Sequence, residues 1–381
     1  MRVGEILERL DEVFPWELAE EWDNSGLQVG SEAAECSGIL CAVDPSNESI
    51  EAASCSGCNV LLTHHPLFFK KGVNRIDLGT PVGTLVKNAV EKGVNIISCH
   101  TNADSAEKGI ASFLARSIGL EGFSPVEGSK RSRFVKIVVF VPPESIDAVS
   151  DAMADAGAGV IGEYTHCGFR TEGTGTFIPQ KGAKPYSGEL LKLNMENEIR
   201  LEMICPSYKV SKVVSSMISV HPYEEVAYDL YALENPIPWG IGRIGMLPEA
   251  EPCKGVIQRA SGIISSEPQQ VIGDDGKKAR LVAVAPGDAE KLVSRVADRG
   301  ADLLIAGEIG YHSALIAEEA GICVALYGHS ESEKVFLKVA SSELSSALEA
   351  CGKYVKITSV GVDLDIRRGA KSGRNDTFDG R

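Results

Sequence analysis

Hydrophobic residues in the first 120 positions follow two spacings, one typical of helices and one typical of buried strands. Residues 3–13 carry apolar side chains every three or four positions, which predicts an opening amphipathic helix. Short apolar runs bounded by polar turns predict strands further on, each followed by a helical pattern. The predicted strands are 38–43, 59–63 and 94–99, and the predicted helices are 47–54, 81–90 and 106–118. This alternation indicates an α/β layer with parallel strands.

The pattern changes after residue 128, where the segment 127–133 is polar and basic. A strand-helix-strand order that occurs twice is typical of a ferredoxin-like α+β module of roughly 100 residues. A second boundary lies near 234–240, after which strands and helices alternate again. The elements predicted between the boundaries are strand 134–141, helix 143–156, a hairpin of 166–170 with 174–178, strand 199–204, helix 210–220 and strand 226–233.

The whole chain is therefore predicted to be a split α/β domain, residues 1–128 and 236–366, interrupted by a ferredoxin-like insert at 129–235. Residues 367–381 are almost without apolar side chains, and we expect a disordered tail there. The elements predicted in the second half are strands 279–285, 302–306 and 323–327 and helices 289–299, 313–320 and 332–349.

Composition narrows the classes of function. The 381 residues are 44% hydrophobic and 24% charged, as in ordinary globular proteins. The net charge of −15 repels polyphosphates unless positive charge is concentrated locally, so we expect neither nucleic acid nor a membrane as partner. With no bilayer-length apolar run and no signal-peptide pattern, a cytoplasmic location is expected. Cys55 and Cys58 lack the second pair of a zinc ribbon, which favours a structural role.

Two adjacent histidines, His64 and His65, end the second predicted strand. Ligands of α/β proteins collect at this carboxyl end of the strands. Neighbouring side chains of a strand point to opposite sides, so both imidazoles reach one ion only if the chain bends there. The next predicted strand ends at His100, and Asp104 follows at the start of a helix. Together these residues indicate a metal site, with a helix-capping role for Asp104 as the alternative.

A second set of candidate residues lies in the second half of the chain. If a helix begins near His329, then His329 and Glu333 lie on one of its faces and can reach the same ion. Glu308 and His312 repeat this spacing at another strand end, which suits contact with metal ligands, with substrate or with a transferred proton. A helix cap and a surface histidine are the alternative for that pair.

Six motifs carry a resemblance to a known family. They are Trp22–Leu27 (WDNSGL), Leu62–Pro66 (LTHHP), His100–Asp104 (HTNAD), His221–Glu225 (HPYEE), Gly307–His312 (GEIGYH) and Gly328–Glu333 (GHSESE). In this order they are similar to the Ngg-interacting-factor-three-like family, many of whose members are labelled GTP cyclohydrolase I type 2 homologues. The resemblance spans about residues 1–366. One departure is Ala285–Asp288 (APGD), where the family more often has a glycine- and serine-rich turn.

The resemblance implies an α/β fold with a dinuclear metal centre, an inserted domain similar to the PII signalling proteins, and a toroidal homohexamer, a trimer of dimers or a dimer of trimers. The ligands carried over by motif are His64, His65, Asp104, His329 and Glu333. Five ligands suit two divalent ions that share Asp104 and keep positions open for water. Zinc, iron and manganese are all compatible with this donor set.

The function we expect is hydrolysis of a nucleotide-like small molecule by this dinuclear centre. By resemblance, the nominal reaction opens the guanine imidazole ring of GTP to give dihydroneopterin triphosphate. Glu308, His312 and His100 are the candidate catalytic residues, as carriers of a proton. The alternatives are a metal-dependent phosphoesterase and a non-catalytic, metal-binding regulatory ring protein whose insert senses a ligand or partner.

Overall fold

The fold is taken from a computed structural model that describes residues 1–69, 75–129 and 132–360. The chain divides into two compact units. Unit 1 consists of Met1–Glu127 and the chain from Gly240 onward, and unit 2 consists of Gly128–Trp239. The tail expected at 367–381 lies outside the described residues.

The first part of unit 1 alternates helices and strands, as the apolar pattern predicts. The strands expected at 38–43, 59–63 and 94–99 are present. Its elements are α1 (Val3–Val13), β1 (Gly26–Val29), β2 (Ile39–Ala42), α2 (Asn47–Cys55), β3 (Val60–Thr63), α3 (Pro81–Glu91), β4 (Asn95–Ser98), α4 (Thr101–Ser105), α5 (Ile110–Ser117), β5 (Glu121–Ser124) and, at the boundary, β6 (Glu127–Gly128).

The helix predicted at 106–118 is wrong in its first turn. The chain instead forms the short α4, breaks, and starts α5 at Ile110. Gly109 is required at the break, because a Cβ there would lie 2.0 Å from the Ala103 carbonyl oxygen. The break leaves Asp104 near the end of a separate short helix.

Unit 2 contains one four-stranded sheet with two helices. Its elements are β7 (Phe134–Val141), α6 (Ile146–Asp155), β8 (Gly168–Phe177), β9 (Asn194–Pro206), α7 (Val210–Val220) and β10 (Tyr228–Ala232). The sheet order is β10-β7-β9-β8, and all neighbours are antiparallel. Alternate residues of β7 and β9, such as Ile137 and Met203, are fully buried in the core of this unit.

The hairpin predicted within 166–178 is wrong. Residues Gly168–Phe177 form one continuous strand that pairs with β9 from Gly168 opposite Met203 to Phe177 opposite Asn194. Its glycines suggested a turn, but Gly175 permits a close approach instead. A Cβ there would lie 2.1 Å from a carboxylate oxygen of Glu198 on β9.

The second part of unit 1 contributes a second mixed sheet. Its elements are β11 (Gly240–Ile241), β12 (Arg243–Pro252), α8 (Cys253–Ile264), β13 (Gln270–Ile272), β14 (Lys278–Asp288), α9 (Val293–Asp298), β15 (Leu303–Glu308), α10 (Tyr311–Glu319), β16 (Cys323–Leu326), α11 (His329–Glu333), α12 (Val335–Ala350) and β17 (Ile357–Ser359). The sequence did not predict β12 or α8, since Pro248 interrupts the strand pattern where the register of β12 against β14 shifts.

Both sheets of unit 1 direct the carboxyl ends of parallel strands toward candidate residues. The first sheet has the order β1-β4-β3-β2-β17, in which β4, β3, β2 and β17 are parallel. The second has the order β13-β16-β15-β14-β12-β5, in which β14, β15 and β16 are parallel. His64 follows β3, His100 follows β4 by two residues, and Glu308 ends β15. The mixed α/β class predicted from the sequence is confirmed.

Candidate metal centre

His64 and His65 stand where β3 ends and the chain bends. Their backbone N–H groups donate to the carbonyls of Ala42 at 3.2 Å and of Val43 at 2.9 Å, so the backbone stays paired beyond the strand. The Thr63 hydroxyl donates to the His65 carbonyl at 2.7 Å. The two imidazole rings lie 5.2 Å apart with planes inclined by 43°. The bend therefore brings both adjacent side chains to one site.

Glu333 lies at the centre of the cluster. Its carboxylate oxygens lie 3.5 Å from His64 Nε2, 3.0 Å from His65 Nε2 and 3.2 Å from His329 Nε2. His329 and Glu333 belong to the same short helix, α11, which places them on one face. Because Glu333 is only 4% exposed, its charge faces these imidazoles rather than water.

Asp104 and His100 complete the cluster on the side of β4. Asp104 Oδ1 lies 3.8 Å from His64 Nε2. The His100 ring lies 5.2 Å from the His64 ring and 5.6 Å from the His65 ring. Two groups have ligand atoms within 4.8 Å of one another, and they share His65: His64, His65 and His100, and His65, His329 and Glu333.

Every imidazole of the cluster is held through its Nδ1 atom. The partner of His64 Nδ1 is the Cys99 carbonyl at 3.0 Å. The other three partners are carboxylates: Asp44 at 2.7 Å from His65, Asp23 at 2.9 Å from His100, and Glu308 at 2.9 Å from His329. Contacts of this kind fix the ring orientation and leave Nε2 for a metal ion, as in most histidine metal sites.

The charges of the cluster favour a cation. The Nε2 atom of the fully buried His64 has no hydrogen-bond partner within the part of the chain described. Among the described residues, no ion pair joins Asp44, Asp104 or Glu333 to a lysine or arginine. Buried carboxylates are normally paired or bound to metal. The donor set of imidazoles and carboxylates thus fits divalent ions.

Burial and pairing set the proton affinities of the cluster without metal. Burial alone would lower the pKa of His65, but Asp44 and Glu333 outweigh it and raise this pKa to about 10. Pairing with Glu333 raises the pKa of His329 to about 9. Burial would raise the pKa of Glu333, yet the surrounding imidazoles hold it far below its ordinary range. The metal-free cluster therefore keeps Glu333 ionised and holds protons on His65 and His329.

We expect metal binding to release protons and to tighten as the pH rises. An ion must displace the protons of His65 and His329, whose pKa values lie at about 10 and about 9. Between pH ~6.5 and ~9, the apparent affinity for zinc should rise about tenfold per pH unit for each proton released. Competition against a colorimetric chelator at several pH values measures this slope. An affinity independent of pH over this range would contradict the protonation states described.

The structure brings together the five residues that the sequence proposed as ligands, His64, His65, Asp104, His329 and Glu333, in one neighbourhood. Of the proposed proton carriers, His100 lies within the cluster and Glu308 contacts His329. His312 is exposed and packs against the Tyr311 ring at 5.6 Å. No hydrogen bond or ion pair among the described residues joins His312 to the cluster.

Sequence reasoning missed Asp23 and Asp44. Asp23 is buried and also accepts hydrogen bonds from the Thr101 backbone N–H at 3.1 Å and the Thr101 hydroxyl at 2.5 Å. Asp44 follows β2, and the rule that singled out His64 applies equally to this third parallel strand. Asp23 lies in a loop before β1, where this rule does not apply, and its only signal in the sequence was its place in the motif Trp22–Leu27.

The histidine of the motif His221–Glu225 has a structural role in unit 2. Its Nε2 atom donates to the Phe140 carbonyl at 3.0 Å, and its Nδ1 atom accepts from the Tyr223 backbone N–H at 3.2 Å. Both ring nitrogens are therefore used within the unit.

A buried arginine, Arg243, holds the backbone that follows Asp104. Its guanidinium donates to the Ala106 carbonyl and the Ser112 hydroxyl, each at 2.7 Å, and to two further carbonyls of Gly240 and Gly242. Burial lowers the pKa of Arg243 to about 10. The α4–α5 break thus depends on one side chain from β12.

Replacing Arg243 by Met should destabilise unit 1. It leaves several buried carbonyls without donors, each at a cost of about 1–3 kcal/mol, so we expect a loss of at least about 3 kcal/mol in the free energy of unfolding. Denaturant unfolding with a chelator present measures it. The control Arg280→Met, at an exposed side chain, should change it by less than about 0.5 kcal/mol. Equal effects of both substitutions would contradict the role of Arg243.

Comparison with known proteins places the chain in a family. The sequence pattern of the Duf34/NIF3 (NGG1p interacting factor 3) family matches residues 1–363. The chain belongs to the Duf34/NIF3 family. The resemblance inferred from its six motifs is thereby confirmed.

Members of the Duf34/NIF3 family are similar to this chain over most of its length. A GTP cyclohydrolase 1 type 2 homolog of Halalkalibacterium halodurans is 32% identical over 345 residues, 90% of this chain and 92% of that protein. The GTP cyclohydrolase 1 type 2 homolog of Mycobacterium tuberculosis is 33% identical over 320 residues, which are 82% of this chain and 83% of that protein. The crystal structure of a Bacillus cereus protein related to NIF3 superposes with a TM-score of 0.83 at 32% identity, covering 97% of this chain and 99% of that one. Among the described residues, no helix has the length and apolar character needed to cross a membrane.

Proposed function

We propose that the protein is a hydrolase of a nucleotide-like small molecule that depends on two divalent metal ions. The observation that carries this proposal is the set of four imidazoles that are each held through Nδ1, three of which have Nε2 within 3.5 Å of the buried Glu333 carboxylate. A purely structural cluster would satisfy its buried polar atoms internally, whereas the buried His64 Nε2 has no hydrogen-bond partner in the described chain.

The two ligand groups that share His65, together with Asp104 beside His64, would hold the ions. Zinc, iron and manganese all suit these ligands. When bound, such ions activate water and polarise a substrate oxygen. The naming of the relatives as GTP cyclohydrolase 1 type 2 homologs supports GTP as the nominal substrate.

The chain's own residues orient the ligands and carry the proton. Asp23 and Asp44 orient the rings of His100 and His65 through Nδ1. Glu308 has a side chain that is 57% exposed and lies against His329, so its carboxylate can exchange a proton between the site and water. Glu308 is therefore our first candidate for the residue that transfers the proton. His100 and His312 remain further candidates, and His312 would need a conformation in which it reaches the cluster.

We further propose that unit 2 is a ferredoxin-like module similar to PII proteins and that the chain assembles as a homohexamer in the cytoplasm. The element order of unit 2, β7-α6-β8-β9-α7-β10, and its sheet order β10-β7-β9-β8 support the first part. Sedimentation equilibrium tests the second part. A mass six times that of the chain supports the hexamer, and a monomer or dimer contradicts it.

The test of the proposed function combines elemental analysis with a panel of nucleotides and phosphoesters that includes GTP. We expect about two ions per chain, turnover of at least one compound, and loss of turnover on chelation or in Asp104→Asn. Turnover that survives loss of the ions contradicts the proposal. Full metal retention with complete inertness also overturns it and supports a regulatory metal-binding protein, whereas hydrolysis of phosphoesters alone makes the protein a phosphoesterase.

A further inference from the structure

Two large aromatic side chains stand exposed beside the metal cluster. Trp22 is 56% exposed and Phe69 is 60% exposed. Their ring centroids lie 5.8 Å and 6.5 Å from the ring of His100, with planes inclined to it by 78° and 90°. They belong to different loops, one before β1 and one after β3, yet both border the same imidazole.

Hydrogen bonds tie these two loops together. The Asn24 side-chain amide donates to the Phe68 carbonyl at 2.8 Å and to Gln28 Oε1 at 3.2 Å. The same Gln28 oxygen accepts the Phe68 backbone N–H at 3.3 Å. Asp23, the residue directly after Trp22, has a buried carboxylate that is bonded to His100. The backbone next to each of the two aromatic residues is therefore held by hydrogen bonds.

Exposing such rings is unfavourable unless something covers them. Burying apolar surface contributes about 25 cal/mol of favourable free energy per Å², which an exposed ring does not gain. Large aromatic side chains bury about 150–250 Å² each when they are covered. Aromatic faces beside a polar catalytic centre provide the surface on which planar rings stack. A ligand stacked here would touch His100 and so reach the metal cluster directly.

We propose that Trp22 and Phe69 form a stacking subsite for the planar heteroaromatic ring of the substrate, of the purine type. This inference rests on the proposed function, since it names the substrate group that the same site recognises. The two exposed rings offer a stacking surface to a planar base and carry no charge for a phosphate. A nucleoside without phosphates should therefore bind.

The test measures guanosine binding to the zinc-loaded full-length chain by isothermal titration, with ribose 5-phosphate as the ring-free probe. We expect guanosine to bind through the two rings, and we expect any binding of ribose 5-phosphate, whose phosphate can reach the ions, to be unchanged when the two rings are replaced. The double variant Trp22→Ala/Phe69→Ala should bind guanosine at least about tenfold more weakly. The conservative variant Trp22→Phe/Phe69→Tyr should retain binding, as should the control Tyr354→Ala, which removes a remote exposed ring.

Metal content, measured on every variant, separates this inference from the proposed function. If the wild type and the double alanine variant bind guanosine with equal affinity at full metal content, the proposed subsite is wrong, whereas the proposed metal centre is not contradicted. Binding of ribose 5-phosphate without guanosine binding leads to the same conclusion. If the alanine substitutions instead change the sedimentation of the protein, the rings are contacts between copies and the subsite is wrong. A wild type that holds no metal overturns the proposed function itself.

Discussion

Replacing Glu333 by Gln is expected to abolish tight metal binding at the cluster and any hydrolysis that depends on it. Glu333 is the carboxylate that faces His64, His65 and His329 together, and an amide removes its charge while keeping its shape. Losing a contact outside the ligands costs about 10- to 100-fold in metal affinity, so losing Glu333, the proposed central ligand, should cost more than 100-fold. Competition with a chelator of known affinity measures the change.

The matched control is Glu331→Gln on the same helix. Glu331 pairs with Lys334 and is not part of the cluster, so this variant loses the same charge from α11 without touching a ligand. It should bind metal as tightly as the wild type. Retained affinity in Glu333→Gln would contradict the proposed role of Glu333. Equal losses in both variants would show that the charge of the helix matters rather than this carboxylate.

A methyl group added at Gly287 is expected to impair metal binding without contacting any ion. Gly287 has φ +71°, and a Cβ there would lie 2.4 Å from Glu333 Oε1. Gly287→Ala should therefore displace the Glu333 carboxylate and weaken zinc binding at least about tenfold, the lower end of what outer contacts cost. It should also lose about 1–2 kcal/mol of folding stability, because the left-handed conformation disfavours alanine.

Gly300→Ala isolates the second effect from the first. Gly300 also has φ +71°, but nothing lies within 4 Å of a Cβ at that position. Both variants should lose similar stability in denaturant unfolding with chelator present, and only Gly287→Ala should lose metal affinity. If Gly300→Ala weakens zinc binding equally, backbone strain rather than the contact with Glu333 explains the loss.

The parts of the site that could be predicted from the sequence follow one rule about parallel strands. Buried strands appear as short apolar runs, and their carboxyl ends meet at one edge of a sheet, which singled out His64, His65 and His100. Helical spacing added the pair His329 and Glu333. The same rule applies to Asp44, which follows β2, so this residue could also have been predicted from the sequence.

Other features depend on contacts between distant segments and leave no local pattern. Asp23 acts on His100 from 77 residues away through a loop of its own. The glycines of β8 suggest a turn locally, and only the neighbouring strand explains Gly175. Arg243 reaches carbonyls 137 residues earlier in the chain. Spacing also could not show that the imidazoles are held through Nδ1, because that depends on the final position of each acceptor.

The most direct test of the account is an anomalous-difference map from crystals of the purified protein, recorded above and below the absorption edge of the metal found by elemental analysis. A dinuclear centre gives two peaks in each chain, one beside the Nε2 atoms of His64 and His100 and one beside His329 and Glu333. A well-ordered cluster with no peak, even after soaking with zinc, or metal bound only at other residues, would contradict it.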